Sequence, residues 1–214
     1  MEPTVTDFAQ HSLEAFLNAL ASDAPTPGGG TAAAMAGAMG AALAQMVSGL
    51  TLAREKYAAS HEAIRPIAEA SAVARAEFVR LAREDSEAYD EVVGARRMPK
   101  ETAEEKAARA ERIALSNRRA TEVPMRTARA AVRLLATLPE LAEKGNPNAA
   151  SDVGAAALLL DAAVEGALLN VGINLSGIED DAFAAQMQKE TADLQEEAQR
   201  LRSQVVAVVR RLFK

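Results

Sequence analysis

Cysteine is absent from the 214 residues, which excludes disulfides, thiolate metal sites and a cysteine nucleophile. Histidine is nearly absent: His11 and His61 are the only two, far apart and without ligand spacing. Aromatic residues make up 3% of the chain, and no basic block stands out among 24 basic and 30 acidic residues. With a formal charge of -6 and little to stack on bases, the chain is not expected to bind nucleic acid. Carboxylates, lysines and amides are left to carry any acid–base chemistry. Glu2 and Asp7 stand where a secretory signal would be basic and then apolar, so the expected setting is cytoplasmic.

No stretch alternates like a strand, and every long segment has helical periodicity. The expected fold is therefore all-α: one multihelical domain over residues 1–214, with long antiparallel helices and no dividing linker. Thr6 can cap a first helix running to about Ala21. A second helix is expected from Gly30 to Thr51, inside a stretch (Ala24 to Ala53) without a single charge. That stretch is long enough to span a bilayer, but it is mostly Ala, Gly, Met, Ser and Thr, which gain little in hydrocarbon. A close-packed central helix fits it better than a membrane span. A third helix is expected over Ser60 to Val93 and a fourth from Thr102, kinked or restarted at Pro124 and continuing to about Leu138. A loop from Pro139 to Pro147 leads to an apolar helix over Asn148 to Val171. After a turn at Gly172–Gly177, a last helix opens at Glu179, Asp180 and Asp181.

Several positions carry chemistry or a structural job. Asp85 falls on the inner stripe of the third helix, between Leu81 and Ala88, and a carboxylate there must be hydrogen-bonded, paired or shifted in pKa. It is a desolvated base or anion for a cationic substrate, or it is tied to a helix end or to Arg126 or Arg129. The loop Pro25-Thr26-Pro27-Gly28-Gly29-Gly30-Thr31 opens a helix with free N–H groups, yet it is also a plain tight turn. Lys100 follows a helix break and reads as a solvated lysine. In Gly145-Asn146-Pro147-Asn148, Asn148 or Ser151 can cap a helix, and Asp152 suits its first turn; the paired amides also suit a heterocycle. Asn170 and Asn174 lie one turn apart near the end of an apolar helix and need partners. Asp161 and Glu165 are also one turn apart, but without a histidine they read as a solvated face rather than a metal site.

Six segments in this order, PTPGGGTAAAMAGAMGAALAQMVSGLT, DSEAYDEV, RMPKETAEEKAAR, EVPMRTA, KGNPNAASDVG and NVGINL, resemble the cyclodeaminase/cyclohydrolase family of folate enzymes. The resemblance runs from about Leu13 to Phe183 and implies a multihelical dimer with a folate site between helices near the subunit interface. It raises Asp85, Lys100 and Asp152 to expected catalytic residues. Thr26, Gly28, Gly29, Gly30, Thr31, Asn146, Asn170 and Asn174 become expected substrate contacts. It implies a small folate substrate, a homodimer, no metal and no organic cofactor, with neither nucleic acid nor membrane as partner. The expected reaction is hydrolysis of 5,10-methenyltetrahydrofolate, in the stand-alone form without a formiminotransferase domain. Cyclodeamination of a formimino folate is the alternative, and a non-catalytic folate-binding or scaffold dimer the second. Where the family carries several basic residues after the second helix, this chain has Arg54-Glu55-Lys56, so which of Arg54 and Lys56 meets the substrate stays open.

Overall fold

The computed structural model describes residues 12–213, and among them there are seven α-helices and no strand. They are α1 (Leu13–Leu20), α2 (Gly29–Leu52), α3 (His61–Arg96), α4 (Ala103–Leu135), α5 (Leu138–Lys144), α6 (Ala150–Leu175) and α7 (Asp181–Leu212). Short 3-10 turns at Glu55–Ser60 and Pro147–Ala149 join α2 to α3 and α5 to α6. The helix start expected at Thr6 lies outside the described residues; Ser12 caps the described α1 by accepting from the Ala15 N–H.

The small residues of α2 serve close approach. A methyl group on Gly37 would meet the Phe78 ring of α3 at 2.7–2.9 Å, and one on Gly40 would meet the Ala156 carbonyl of α6 at 3.0 Å. On α6, Gly166 is matched by Ala33. α2 and α6 thus lie antiparallel at the centre, with α3 and α4 packed on them and α7 on α6. The buried core runs through all of these helices, with Phe78, Leu81, Met125, Leu135 and Leu160 among its largest members. α2 and the Pro147–Leu175 segment are long and apolar enough to cross a membrane by length and composition, yet about half of each such window (50% and 44%) is buried inside the fold.

α3 and α4 are registered by ion pairs. Glu77, Glu84 and Glu91 face Arg133, Arg126 and Arg119 in turn, stepping seven residues along each helix in opposite directions. Each pair is partly exposed and contributes little by itself, but a slip of either helix would break all three together.

Three boundaries differ from expectation. α3 continues through Gly94 to Arg96. Pro139 does not end a helix but sits in the first turn of α5, where its missing N–H is harmless. The turn expected at Gly172 is the last stretch of α6, which runs on to Leu175. Pro124 lies inside an unbroken α4, whose start at Thr102 is a complete capping box with Glu105.

Candidate active site

Asp85, Tyr89, Val92 and Arg96 stand at four- and three-residue steps on one face of α3 and line a cavity of about 420 Å³. Opposite them are Pro25, Thr26 and the three glycines at the start of α2, and the remaining wall comes from Asn117 and Ala120 of α4 and Asn170, Ile173 and Asn174 of α6. The glycine loop contains a cis Thr26–Pro27 peptide, and none of its glycines has a positive φ. Their value lies in proximity. A methyl group on Gly30 would stand 2.7 Å from the Asp85 Cγ, so only glycine lets the first turn of α2 come down on this carboxylate.

Asp85 is held from that turn. The Thr31 hydroxyl donates to its Oδ2 at 3.0 Å, and the Thr31 backbone N–H bonds it too. Gly28, the N-cap of α2, has no side chain to offer, so Asp85 supplies from α3 an anion for the helix start. The Ser86 hydroxyl lies 3.1 Å from that of Thr31. An ionised Asp85 can only accept, so the single Thr31 proton goes to it and Ser86 donates to Thr31. No ion pair to Asp85 exists among the described residues: Arg126 goes to Glu84 and Arg129 to Glu190. Burial pushes the Asp85 carboxyl above its ordinary value, and the Thr31 bonds offset only part of that.

The three asparagines are oriented by backbone. Asn170 Nδ2 donates to the Gly166 carbonyl at 2.8 Å, Asn174 Nδ2 to that of Ala120 at 2.6 Å, and Asn117 Nδ2 to that of Gly177 at 2.8 Å. Their Oδ1 atoms accept no hydrogen bond among the described residues, and none is sealed from solvent. One cavity therefore combines an unpaired carboxylate, a guanidinium and three amide oxygens ready for N–H donors. A larger neighbouring cavity, about 680 Å³, adjoins at Gly177. Its wall is more apolar, and its Asp180 is already committed to Arg118 and to the N-cap of α7, so the unpaired carboxylate lies in the Asp85 cavity and not in this one.

Of the residues expected from sequence, Asp85, Thr26, Gly28, Gly29, Gly30, Asn170 and Asn174 line this cavity and Thr31 stands behind it. Lys100 is exposed in the loop before α4 and does not line it. Asn146 and Asp152 lie at the other end of α2 and α6, roughly 30 Å away along helices rising 1.5 Å per residue. There Asn146 is buried: its N–H donates to Thr51 Oγ1 at 2.9 Å, and its Oδ1 accepts from the Tyr57 hydroxyl at 2.9 Å. Asp152 opens α6, whose N-cap is Ala149 rather than Asn148 or Ser151. Arg54 and Lys56 are exposed at this far end as well. Asp161 pairs with Arg202 at 3.1 Å and Glu165 accepts from Gln195; no metal-binding cluster occurs among the described residues. Tyr89, Arg96, Ser86 and Asn117 were not expected. The first two repeat the spacing of Asp85; Arg96 was hidden by ending the helix before Gly94, whereas Tyr89 lay within the expected helix.

Comparison with known proteins places this geometry. The chain is 42% identical over 199 residues to a methenyltetrahydrofolate cyclohydrolase of Methylorubrum extorquens, an alignment covering 93% of this chain and 96% of that one. It is 36% identical over 200 residues to the formimidoyltransferase-cyclodeaminase of Sus scrofa, covering 94% of this chain but only 36% of that longer protein. The crystal structure of formiminotetrahydrofolate cyclodeaminase from Thermotoga maritima superposes with a TM-score of 0.87 at 30% identity, covering 96% of this chain and 99% of that one. A family model described as formiminotransferase-cyclodeaminase matches residues 12–193. With that match spanning most of its length, the chain belongs to the formiminotransferase-cyclodeaminase family.

Proposed function

We propose that this protein hydrolyses 5,10-methenyltetrahydrofolate to 10-formyltetrahydrofolate. The observation that carries the reading is Asp85: a carboxylate without an ion-pair partner among the described residues, fixed by Thr31 and facing a cavity whose other polar side chains include three asparagines, Tyr89 and Arg96. The bridging carbon of the substrate belongs to an amidinium cation, and an unpaired carboxylate in a partly dry cavity stabilises such a cation more than water would. Asp85 takes a proton from water as the oxygen bonds to that carbon. The tetrahedral adduct then collapses: the bond to the ring nitrogen breaks, that nitrogen receives the proton held by Asp85, and the adduct's hydroxyl gives up its own proton to solvent as it becomes the formyl carbonyl. The amide oxygens of Asn117, Asn170 and Asn174 accept from the N–H groups of the pterin. The carbon is already electrophilic, so the reaction calls for no metal and no organic cofactor. Cyclodeamination makes similar demands on the same cavity, with the substrate's own amine as nucleophile and ammonia leaving. Hydrolysis is favoured because the cyclohydrolase relative is both more similar and matched along 96% of its length. The test is loss of methenyltetrahydrofolate absorbance with wild type and Asp85→Asn. Turnover by wild type alone is expected, and equal turnover by both would remove Asp85 from the chemistry.

A second copy belongs to this reading, as does a cytoplasmic setting without nucleic acid or membrane. The outer face of α2 and α6 is apolar, with Met39, Met46, Leu158, Leu169 and Ile173 all exposed, and Ile173 is also a wall of the cavity. A two-fold axis crossing these helices brings the Asn146–Asp152 end of one copy to the Asp85 cavity of the other. Mixing inactive Asp85→Asn with inactive Asp152→Asn should then restore about a quarter of wild-type activity, because half of the dimers are mixed and each rebuilds one of its two sites. No recovery on mixing, with both variants dimeric, would exclude a shared site.

A further inference from the structure

Pro124 is buried inside α4, and the helix passes through it unbroken. A proline there withholds an N–H from the carbonyl four residues earlier, and its ring presses that carbonyl outward. The carbonyl is that of Ala120, and Ala120 lines the Asp85 cavity. It receives the Asn174 Nδ2 instead, at 2.6 Å. An ordinary residue at 124 would supply the helix's own N–H and draw the Ala120 carbonyl back along the helix axis, so the Asn174 amide, reaching from α6, would have to share a carbonyl no longer turned towards it.

We propose that Pro124 is a positioning residue for the substrate: it frees the Ala120 carbonyl to anchor the Asn174 amide, so that the Asn174 Oδ1 is presented to the cavity as an acceptor for ring N–H donors. The chemistry that places Asn174 against a bound ring rests on the folate reading above. The cost to the helix is otherwise unexplained, since a buried interior position is where proline is least tolerated. Here the missing bond is replaced from α6, which ties α4 and α6 together beside the reactive carboxylate.

The experiment compares wild type, Pro124→Ala, Asn174→Ala and the double variant by turnover of methenyltetrahydrofolate and by calorimetric binding of tetrahydrofolate. Pro124→Ala should melt no lower than wild type, because the helix regains its bond. Its KM and its Kd for tetrahydrofolate should rise roughly five- to tenfold, the worth of one hydrogen bond, while kcat changes less than about threefold because Asp85 is untouched. The double variant should bind no more weakly than Asn174→Ala. Additive losses, or a Pro124→Ala KM within about twofold of wild type, would overturn the role. Should the alanine variant lose its fold, Pro124→Val restores the N–H and keeps the buried bulk. Tetrahydrofolate binding without turnover would sink the hydrolase reading and leave the Pro124 test intact; no binding by wild type would sink both.

Discussion

Gly30→Ala sets two physical effects against each other. The position is helical and its φ is not positive, so a methyl group meets no backbone penalty and helix propensity alone predicts a gain of up to ~1 kcal/mol. The new Cβ would, however, stand 2.7 Å from both Cγ and Oδ2 of Asp85, where ordinary contact begins near 3.4 Å. Something must therefore yield by about 0.7 Å or more. α2 is pinned against α3 by the equally tight fit of Gly37 on Phe78, so Asp85 is the part that turns, and its bond to Thr31 goes with it. Overpacking of this kind costs about 1–3 kcal/mol, leaving a net stability loss of roughly 0–2 kcal/mol once propensity is counted. Displacing the base by nearly an ångström should lower kcat about a hundredfold. The assay is methenyltetrahydrofolate turnover alongside a chemical melt, with Gly94→Ala as control. A methyl group on Gly94 has nothing within 4 Å, and the control should gain about 0.5–1 kcal/mol with unchanged turnover. Turnover by Gly30→Ala within threefold of wild type would refute the claim that glycine is there to admit the carboxylate.

Two other predictions follow from the electrostatics. A carboxyl with a raised folded pKa binds more protons in the native state than in the unfolded one, so its burial costs nothing below about pH 4 and progressively more as pH rises through the folded value. Asp85→Asn should accordingly melt above wild type at pH 7, with the gap closing near pH 4; a constant gap across that range would contradict the desolvated carboxylate. Thr31→Val removes the side-chain bond that partly lowers the Asp85 pKa and keeps the backbone one, so the acid limb of the pH–rate profile should move to higher pH, whereas Thr31→Ser should keep it in place.

How much of this was legible depends on whether the signal was local. α2 and the start of α4 could be read because an uncharged run of mostly small residues and the helix break before Thr102 each belong to one segment. Asp85 could be read because a carboxylate on an apolar stripe is an anomaly within its own helix. The α3–α4 ion-pair ladder was present as two seven-residue series, but only a fold shows which series faces which. Asn146 and Asn174 illustrate the limit. Both are amides in motifs shared with folate enzymes, yet one is turned inward to Tyr57 and the other lines the cavity, and that difference depends on elements far off in the chain. Lys100 was expected at the site from resemblance. The cation that lines the cavity is Arg96, which stands one face-repeat beyond Val92 on the extended α3.

The ion-pair ladder also explains why Asp85 is left unpaired while its glutamate neighbours on α3 are not. Glu77, Glu84, Glu87 and Glu91 share α3 with it, and each has an arginine on α4. Asp85 lies on the other side of the helix, towards α2, a helix without a single charged residue. Among the described residues its support there is one hydroxyl and the free N–H end of a helix that lacks a side-chain cap of its own. Those groups hold the carboxylate in place without neutralising it. A full ion pair would hold it more firmly but would lower its basicity and spend its charge before a cation arrived. The arrangement sacrifices some stability at one position for an anion that remains available, which is the condition a site for an amidinium substrate has to meet.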